Sequence, residues 1–320
     1  MDAPAALAVD IGATKLAVGL VGSDGRVQHQ ERAASPRRVS ESLALLDTLA
    51  KRALDVAEAQ GRPVSGVGIA CGGPLDLARG LVLAPPNLPD WTCVPIRDRL
   101  ADLSGAPAYL QNDAGAGAIA SYLWDNPDHA ADVTYVTVSS GVGCGVILDR
   151  ALMTGHSGNG SELGHIPLIY GGRPCKCGQA GCVEAYVSGT SIGERYAEAH
   201  GGPAVTARDI AERAAQGDNS ARAHWIEAMQ MLNRVIRAAV DLFDPALVCL
   251  GGGVTDADAA LLAPALDFGG TGGMSDAVGR GLSVRRTGFG RDSGVVSAAA
   301  VAWNEIGAAD GRRVALRQEV

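Results

Sequence analysis

A chain of 320 residues, 47% hydrophobic and 19% charged, is long enough for two domains and too apolar to stay disordered. Its formal net charge of −8, with no run of Lys or Arg to offset it, lacks the basic footprint of a nucleic-acid binder. No apolar run approaches the roughly 20 residues of a membrane span, and Met1-Asp2-Ala3-Pro4 lacks the basic start of a secretion signal, so a cytoplasmic protein is expected.

Only 4% of the chain is aromatic while 43 residues are Gly, a composition that favours an α/β protein over a β-sandwich. Leu7 to Val9 reads as a short buried strand ending in Asp10. After the turn Ile11-Gly12-Ala13-Thr14, a second strand runs from Lys15 to Val21, and Gly22-Ser23-Asp24-Gly25 turns into a third from Arg26. Ser40 is placed as the cap of an amphipathic helix with Leu43, Leu46, Leu54 and Ala57 on one face, stopped by Gly61 and Pro63. Strands follow over Val64 to Ala70 and Ala106 to Gln111, the latter running through Asn112-Asp113 into a small-residue helix towards Trp124.

A strand, a glycine-bearing turn and a strand then recur: Tyr135 to Val138, Ser139-Ser140-Gly141-Val142-Gly143, and Gly145 to Leu148. A shift of 129 residues lays Gly12 on Gly141, which points to a duplicated fold with a cleft between the halves. Trp225, Met229, Leu232, Ile236, Val240 and Phe243 mark a long core helix ended by Asp244-Pro245. A strand from Ala246 to Leu250 leads into Gly251-Gly252-Gly253, and the glycine-rich stretch 267–281 reads as a surface loop.

Three glycine-bearing turns thus follow three strands, and backbone N–H groups converge on phosphate oxygens most readily where no Cβ obstructs them. No Gly-x-x-x-x-Gly-Lys-Ser/Thr motif occurs. Cys71, Cys93, Cys144 and Cys249 are scattered among apolar or glycine residues and read as buried structural thiols. Asp113, at a strand-to-helix junction, is either an N-cap or a carboxylate poised to accept a hydroxyl proton.

Read in order, Asp10-Ile11-Gly12-Ala13-Thr14-Lys15, Asn112-Asp113-Ala114, Glu162-Leu163-Gly164-His165 and Cys175-Lys176-Cys177-Gly178 to Gly181-Cys182-Val183-Glu184 resemble the ROK family, from Leu7 to about Trp303. The resemblance implies a two-domain actin-like ATPase (ribonuclease H-like) fold with an interdomain cleft, divided as 1–112 plus 303–320 and 113–302. It implies an ATP-dependent sugar kinase acting on a hexose or amino-hexose at the 6-hydroxyl, with Mg²⁺ and a structural Zn²⁺, assembled as a homodimer or homotetramer.

Three thiolates (Cys175, Cys177, Cys182) and one imidazole (His165) complete a tetrahedron around Zn²⁺ and leave no position for water, the mark of a structural site. By the same resemblance Asp113 is the catalytic base and Asn112, Glu162, Glu184 and His165 bind the sugar, joined by Asn87 and by the backbone of Gly73. Asp10 orients Mg²⁺, while Gly12, Ala13, Thr14, Lys15, Ser139, Ser140, Gly141, Val142, Gly251, Gly252 and Gly253 face the nucleotide; Lys15 faces solvent in the alternative reading. Ser139-Ser140 stands where the family carries Gly-Thr, Gly115 where many members carry Asn, and Cys71-Gly72-Gly73-Pro74 and Gly160-Ser161-Glu162 also depart from the common forms. These departures leave the sugar open among glucose, N-acetylmannosamine and a divergent amino sugar such as kanosamine, with polyphosphate as an alternative donor. The competing reading is a ROK-type sugar-sensing protein without kinase activity, such as a repressor. The acidic balance and the nine residues that precede Asp10 disfavour the repressor, while the altered phosphate turns are the only support for a catalytically silent sugar-binding protein.

Overall fold

The computed structural model describes residues 3–88, 90–203, 205–268, 281–307 and 311–316. Most of the stretch 267–281 therefore lies outside the described residues. The chain forms two compact units, Met1–Ala130 with Asp149–Gly160 and Arg291–Val320, and Ala131–Leu148 with Ser161–Gly290. These bounds differ from the expected division at 112 and 303. The helices Asp113–Trp124 and Ser293–Ile306 pack on each other and on strands of the first unit, so both belong there.

The first unit is built on a five-stranded sheet in the order Val27–Ala34, Lys15–Gly22, Ala5–Ile11, Val64–Cys71, Ala108–Asn112. The first three strands pair antiparallel as a meander, and the last two continue parallel to Ala5–Ile11. The strand Ala5–Ile11 is buried on both faces, and its side chains alternate between two cores. Leu7, Val9 and Ile11 pack with Leu46, Leu49 and Ala53 of the helix Val39–Ala59 and with Ile96 and Leu100 of the helix Ile96–Ser104. Ala6 and Ala8 face the opposite way, against Val295, Ala298, Ala299 and Ala302 of the helix Ser293–Ile306.

The residues on that second face are small because the helix backbone comes very close to the sheet. A β-carbon on Gly68 would collide with the carbonyl of Ala298. A short C-terminal segment ties down the far ends of the two helices on this side. Arg312 Nη1 donates to the Tyr122 carbonyl at 3.1 Å and to the Asn126 carbonyl at 3.4 Å, and its other terminal nitrogen donates to the Leu123 carbonyl. The fully buried Asn304 amide exchanges two hydrogen bonds with the Val314 backbone, at 2.7 and 3.0 Å.

The second unit carries strands in the order Ser283–Arg286, Leu247–Gly251, Val133–Val138, Val142–Leu148. Val133–Val138 pairs antiparallel with the strand that follows it and parallel with Leu247–Gly251, as Ala5–Ile11 does with its own neighbours. In the hairpins Ile11 faces Leu16 and Val138 faces Val142. Structural equivalence therefore requires a shift of 127 residues on the first strand and 126 on the second, rather than the 129 that overlays glycines. The second hairpin loop is one residue shorter, so matching glycines do not occupy matching turn positions.

The long helix runs Asn219–Phe243, with Trp225, Met229, Leu232, Ile236 and Val240 buried as the periodicity predicts. The Asp218 side chain caps its start, and Asp244 ends it in a left-handed conformation before Pro245. Two local expectations need correction. The first helix begins at Val39 behind Arg38, which supplies no side-chain cap, so Ser40 lies inside the helix; the buried face runs through Ser42, Leu46, Leu49, Ala50, Ala53 and Ala57, with Leu43 and Leu54 on its margin. Cys71, Cys144 and Cys249 are buried, but Cys93 is exposed on a short edge strand. No helix among the described residues is long and apolar enough to cross a membrane.

Candidate active site and metal centre

In the first unit the sheet delivers Asp10, Gly73, Asn112 and Asp113 from the ends of three neighbouring parallel strands, where ligand sites of open α/β sheets form. Asn112 is the true N-cap: its Oδ1 accepts from the Ala114 N–H at 2.9 Å and the Gly115 N–H at 3.3 Å. Asp113 is therefore the first helical residue, exposed, with Oδ1 accepting from the Ala114 N–H at 2.8 Å.

Asp10 is 16% exposed, and its pKa is pushed up to about 6, chiefly by burial and further by the Asp113 charge, against the opposing pull of Lys15 and Arg32. Lys15 Nζ stands 4.0 Å from Asp10 Oδ2 on a half-exposed side chain. Burial also pushes the Cys71 thiol up, with Asp113 and Asp10 as secondary causes, so these three groups share one local field. Gly294, at the start of the helix Ser293–Ile306, lies directly against the Asp10 carboxylate, where any β-carbon would overlap it.

Gly12 donates to the Lys15 carbonyl at 3.0 Å and the Thr14 carbonyl accepts from the Ser35 N–H at 3.1 Å, while Ala13 packs on the core margin. These bonds fix the first turn. Asn87 stands exposed on the Pro85–Leu88 turn, and no hydrogen bond among the described residues ties its side chain to the Asp113 cluster.

In the second unit the two remaining glycine turns lie side by side. Ser139-Ser140-Gly141 closes through a Ser139 N–H to Gly141 carbonyl bond of 2.8 Å, and Gly251 pairs with Thr137 on the strand leading into it. Gly252 and Gly253 follow, and the Val254 N–H then returns to the Val138 carbonyl at 3.0 Å. Glu184, expected to meet the sugar, uses Oε2 to accept from the Val142 N–H at 2.9 Å, and its carboxylate packs on Gly141. Glu162 is exposed ahead of the single 3₁₀ turn Leu163–His165, and its charge adds to the burial that pushes the Cys144 thiol up to about 12.

His165, Cys175, Cys177 and Cys182 converge so that their ligand atoms all lie within 4.8 Å of one another. Cys175 Sγ is 3.8 Å from His165 Nδ1, and Cys177 Sγ is 3.6 Å from Cys182 Sγ. A tetrahedral site with Zn–S bonds of about 2.3 Å has edges of roughly 3.8 Å, so the cluster fits Zn²⁺. Gly178 and Gly181 both adopt positive φ, at 91° and 84°, and fold the chain back; at Gly181 a β-carbon would also strike the Ile169 carbonyl.

A family model described as the ROK family matches residues 6–305. The chain belongs to the ROK family. Among ROK relatives, a glucokinase from Thermotoga maritima is 32% identical over 273 residues, covering 81% of this chain and 84% of that protein. An N-acetylmannosamine kinase from Shigella boydii is 37% identical over 250 residues, covering 78% and 82%. A solved ROK family glucokinase from Streptomyces griseus, in complex with glucose and AMPPNP, superposes with a TM-score of 0.78 at 29% identity, covering 92% of this chain and 98% of that one. The fold is accordingly the actin-like ATPase fold of ROK sugar kinases. Three residues beside the candidate site carry no local sequence signal: Arg32 acts on the Asp10 charge, Gly294 abuts the Asp10 carboxylate and Asn159 lies next to Gly73, each from a distant part of the chain.

Proposed function

We propose that this ROK protein transfers the γ-phosphoryl group of ATP to the 6-hydroxyl of a hexose or amino-hexose. Its place among phosphotransferases acting on sugar alcohols rests on the glucokinase and N-acetylmannosamine kinase relatives that match most of the chain. The observation that carries the reading is the exposed Asp113 carboxylate at a helix N-terminus, beside the capping Asn112 and within the field of the buried Asp10.

Asp113 accepts the hydroxyl proton as the sugar oxygen attacks phosphorus, a role worth about 10²–10⁴ in rate. Asn112, Gly73, Asn87, Glu162 and His165 hold the sugar in this reading. Glu184 fixes the turn at Val142 with one carboxylate oxygen and offers the other to the sugar. The turn amides from Gly12 to Lys15, Ser139 to Val142 and Gly251 to Gly253 face the phosphates.

Asp10 is the residue that would hold Mg²⁺, directly or through water, where the ion supplies charge neutralisation on the phosphates. His165 Nδ1 and the three thiols would hold a structural Zn²⁺, which supplies folding free energy to its loop. A cytoplasmic homodimer or homotetramer belongs to the same reading and is supported by the family resemblance alone. Asp113→Asn tests the core of it: sugar binding is retained while sugar-dependent ADP release falls at least about 100-fold. ADP release near the wild-type rate in that variant overturns the assignment.

A further inference from the structure

Gly73 leaves an opening the size of a methyl group that is flanked by two oriented amides. A β-carbon built on Gly73 would stand 3.5 Å from Asn112 Nδ2 and 3.5 Å from Asn159 Oδ1, with no clash. Neither amide is free to flip. Asn112 Oδ1 is committed to the N–H groups of Ala114 and Gly115, so Nδ2 is the atom turned towards Gly73, and it donates to no other group among the described residues. Asn159 Oδ1 accepts from the Leu75 N–H at 3.1 Å, while its Nδ2 donates to the Ser157 carbonyl at 2.8 Å and the Leu75 carbonyl at 3.4 Å. One lone pair of Asn159 Oδ1 remains.

We propose that Asn112 Nδ2 and Asn159 Oδ1 form a donor–acceptor pair over Gly73 that selects a neutral hydroxyl of the bound sugar. Asn159 is then a specificity-determining residue. The selection follows from valence. A hydroxyl accepts from the donor and donates to the acceptor, satisfying both. An ammonium group only donates, so it would bond Asn159 and leave the Asn112 N–H pressed against a cation. A ring position bearing hydrogen would leave the Asn112 Nδ2 donor and the second lone pair of Asn159 Oδ1 without a partner, the situation in which polar sites reject analogues most strongly. This inference rests on the sugar-kinase reading for its ligand class and deepens it, because it states which chemistry one ring position must carry.

The test is a calorimetric binding panel on the full-length protein. The probes are glucose, each of its monodeoxy analogues, and the 2-, 3- and 6-amino-deoxy sugars, all without nucleotide, against wild type, Asn159→Leu, Asn159→Asp and Gly73→Ala. Melting curves confirm that each variant is folded. In wild type, the deoxy and amino analogues at one ring position bind about tenfold weaker than the parent. Asn159→Leu removes that discrimination at the same position only, and Asn159→Asp, which adds a negative charge there, tightens binding of the amino analogue at that position. Gly73→Ala weakens every sugar that carries the hydroxyl. If Asn159→Leu leaves the whole pattern unchanged, or weakens all analogues by one common factor, the pair is not a recognition element. Phosphoryl transfer is measured in parallel on wild type, so a protein that shows the binding pattern but releases no ADP would refute the kinase reading while leaving the pair standing.

Discussion

Arg32 donates to Asp292 Oδ1 at 2.6 Å and, through the same nitrogen, to the Arg291 carbonyl at 2.7 Å. The edge strand Val27–Ala34 thereby grips the two residues that precede the helix Ser293–Ile306, and with them the position of Gly294 against Asp10. Arg32→Met should raise KM for Mg-ATP roughly tenfold, by analogy with the loss of a charged hydrogen bond, with KM for sugar unchanged. Both partners are partly exposed, at 32% and 47%, so the melting temperature should scarcely move. Steady-state kinetics with each substrate varied in turn separates the two effects.

In its proposed Mg²⁺-holding role, Asp10 sets stability against function. Its folded pKa of about 6 lies above the ordinary aspartate value, so folding favours the protonated form. That favourable contribution is complete below the unfolded value and is lost as pH rises through about 6. At neutral pH the ionised carboxylate therefore destabilises the fold, by less than about 3 kcal/mol because the side chain is not wholly sealed from water. Asp10→Asn should melt at a higher temperature than wild type at pH 7.5, lose that advantage at pH 4.5, and transfer no phosphate. Wild-type kcat/KM for Mg-ATP should fall as pH drops through about 6. A lower melting temperature for Asp10→Asn at pH 7.5 would contradict this account.

For the thiol cluster, one zinc per chain is expected by elemental analysis of protein purified without chelator, and none for Cys177→Ser. Stripping the metal should open the loop and expose Lys176 to trypsin, with activity lost at the rate of cleavage rather than at once. Arg173 offers no competing cut site, because Pro174 follows it.

Arg312 acts from the opposite end of the Asp113 helix, satisfying the Tyr122 and Leu123 carbonyls of its last turn and the Asn126 carbonyl just beyond it. Arg312→Ala should lower stability by about 1–2 kcal/mol and increase amide exchange at the end of that helix. Denaturant unfolding with hydrogen exchange measures both.

Much of this was legible in the sequence, for a physical reason. The hairpins, the long helix and the Cys/His cluster are local: alternation, a 3.6-residue period and four candidate metal-binding side chains within 18 residues all leave their mark on a short window. The sequence points to Ser40 for the start of the first helix because Arg38 caps nothing, and it overlays the repeat at the wrong shift because one hairpin loop is a residue shorter. Arg32 meets Asp292 across 260 positions, and Asn159 meets Leu75 across 84. Neither leaves a pattern in any window, since only folding brings the partners together. Cys93 looked like its buried counterparts because an apolar neighbourhood in sequence does not report which side of an edge strand faces water.

The alanine-lined side of the first sheet has a consequence for how distant substitutions will read. Ala6, Ala8, Ala17 and Ala70 separate the sheet from a helix whose first turn abuts Asp10. A single added methyl group on any of them would work as a shim, tilting that helix and lifting Gly294 away from the carboxylate. Conservative enlargements deep in the interior would then surface as kinetic defects in nucleotide handling, in enzymes whose spectra and solubility look normal.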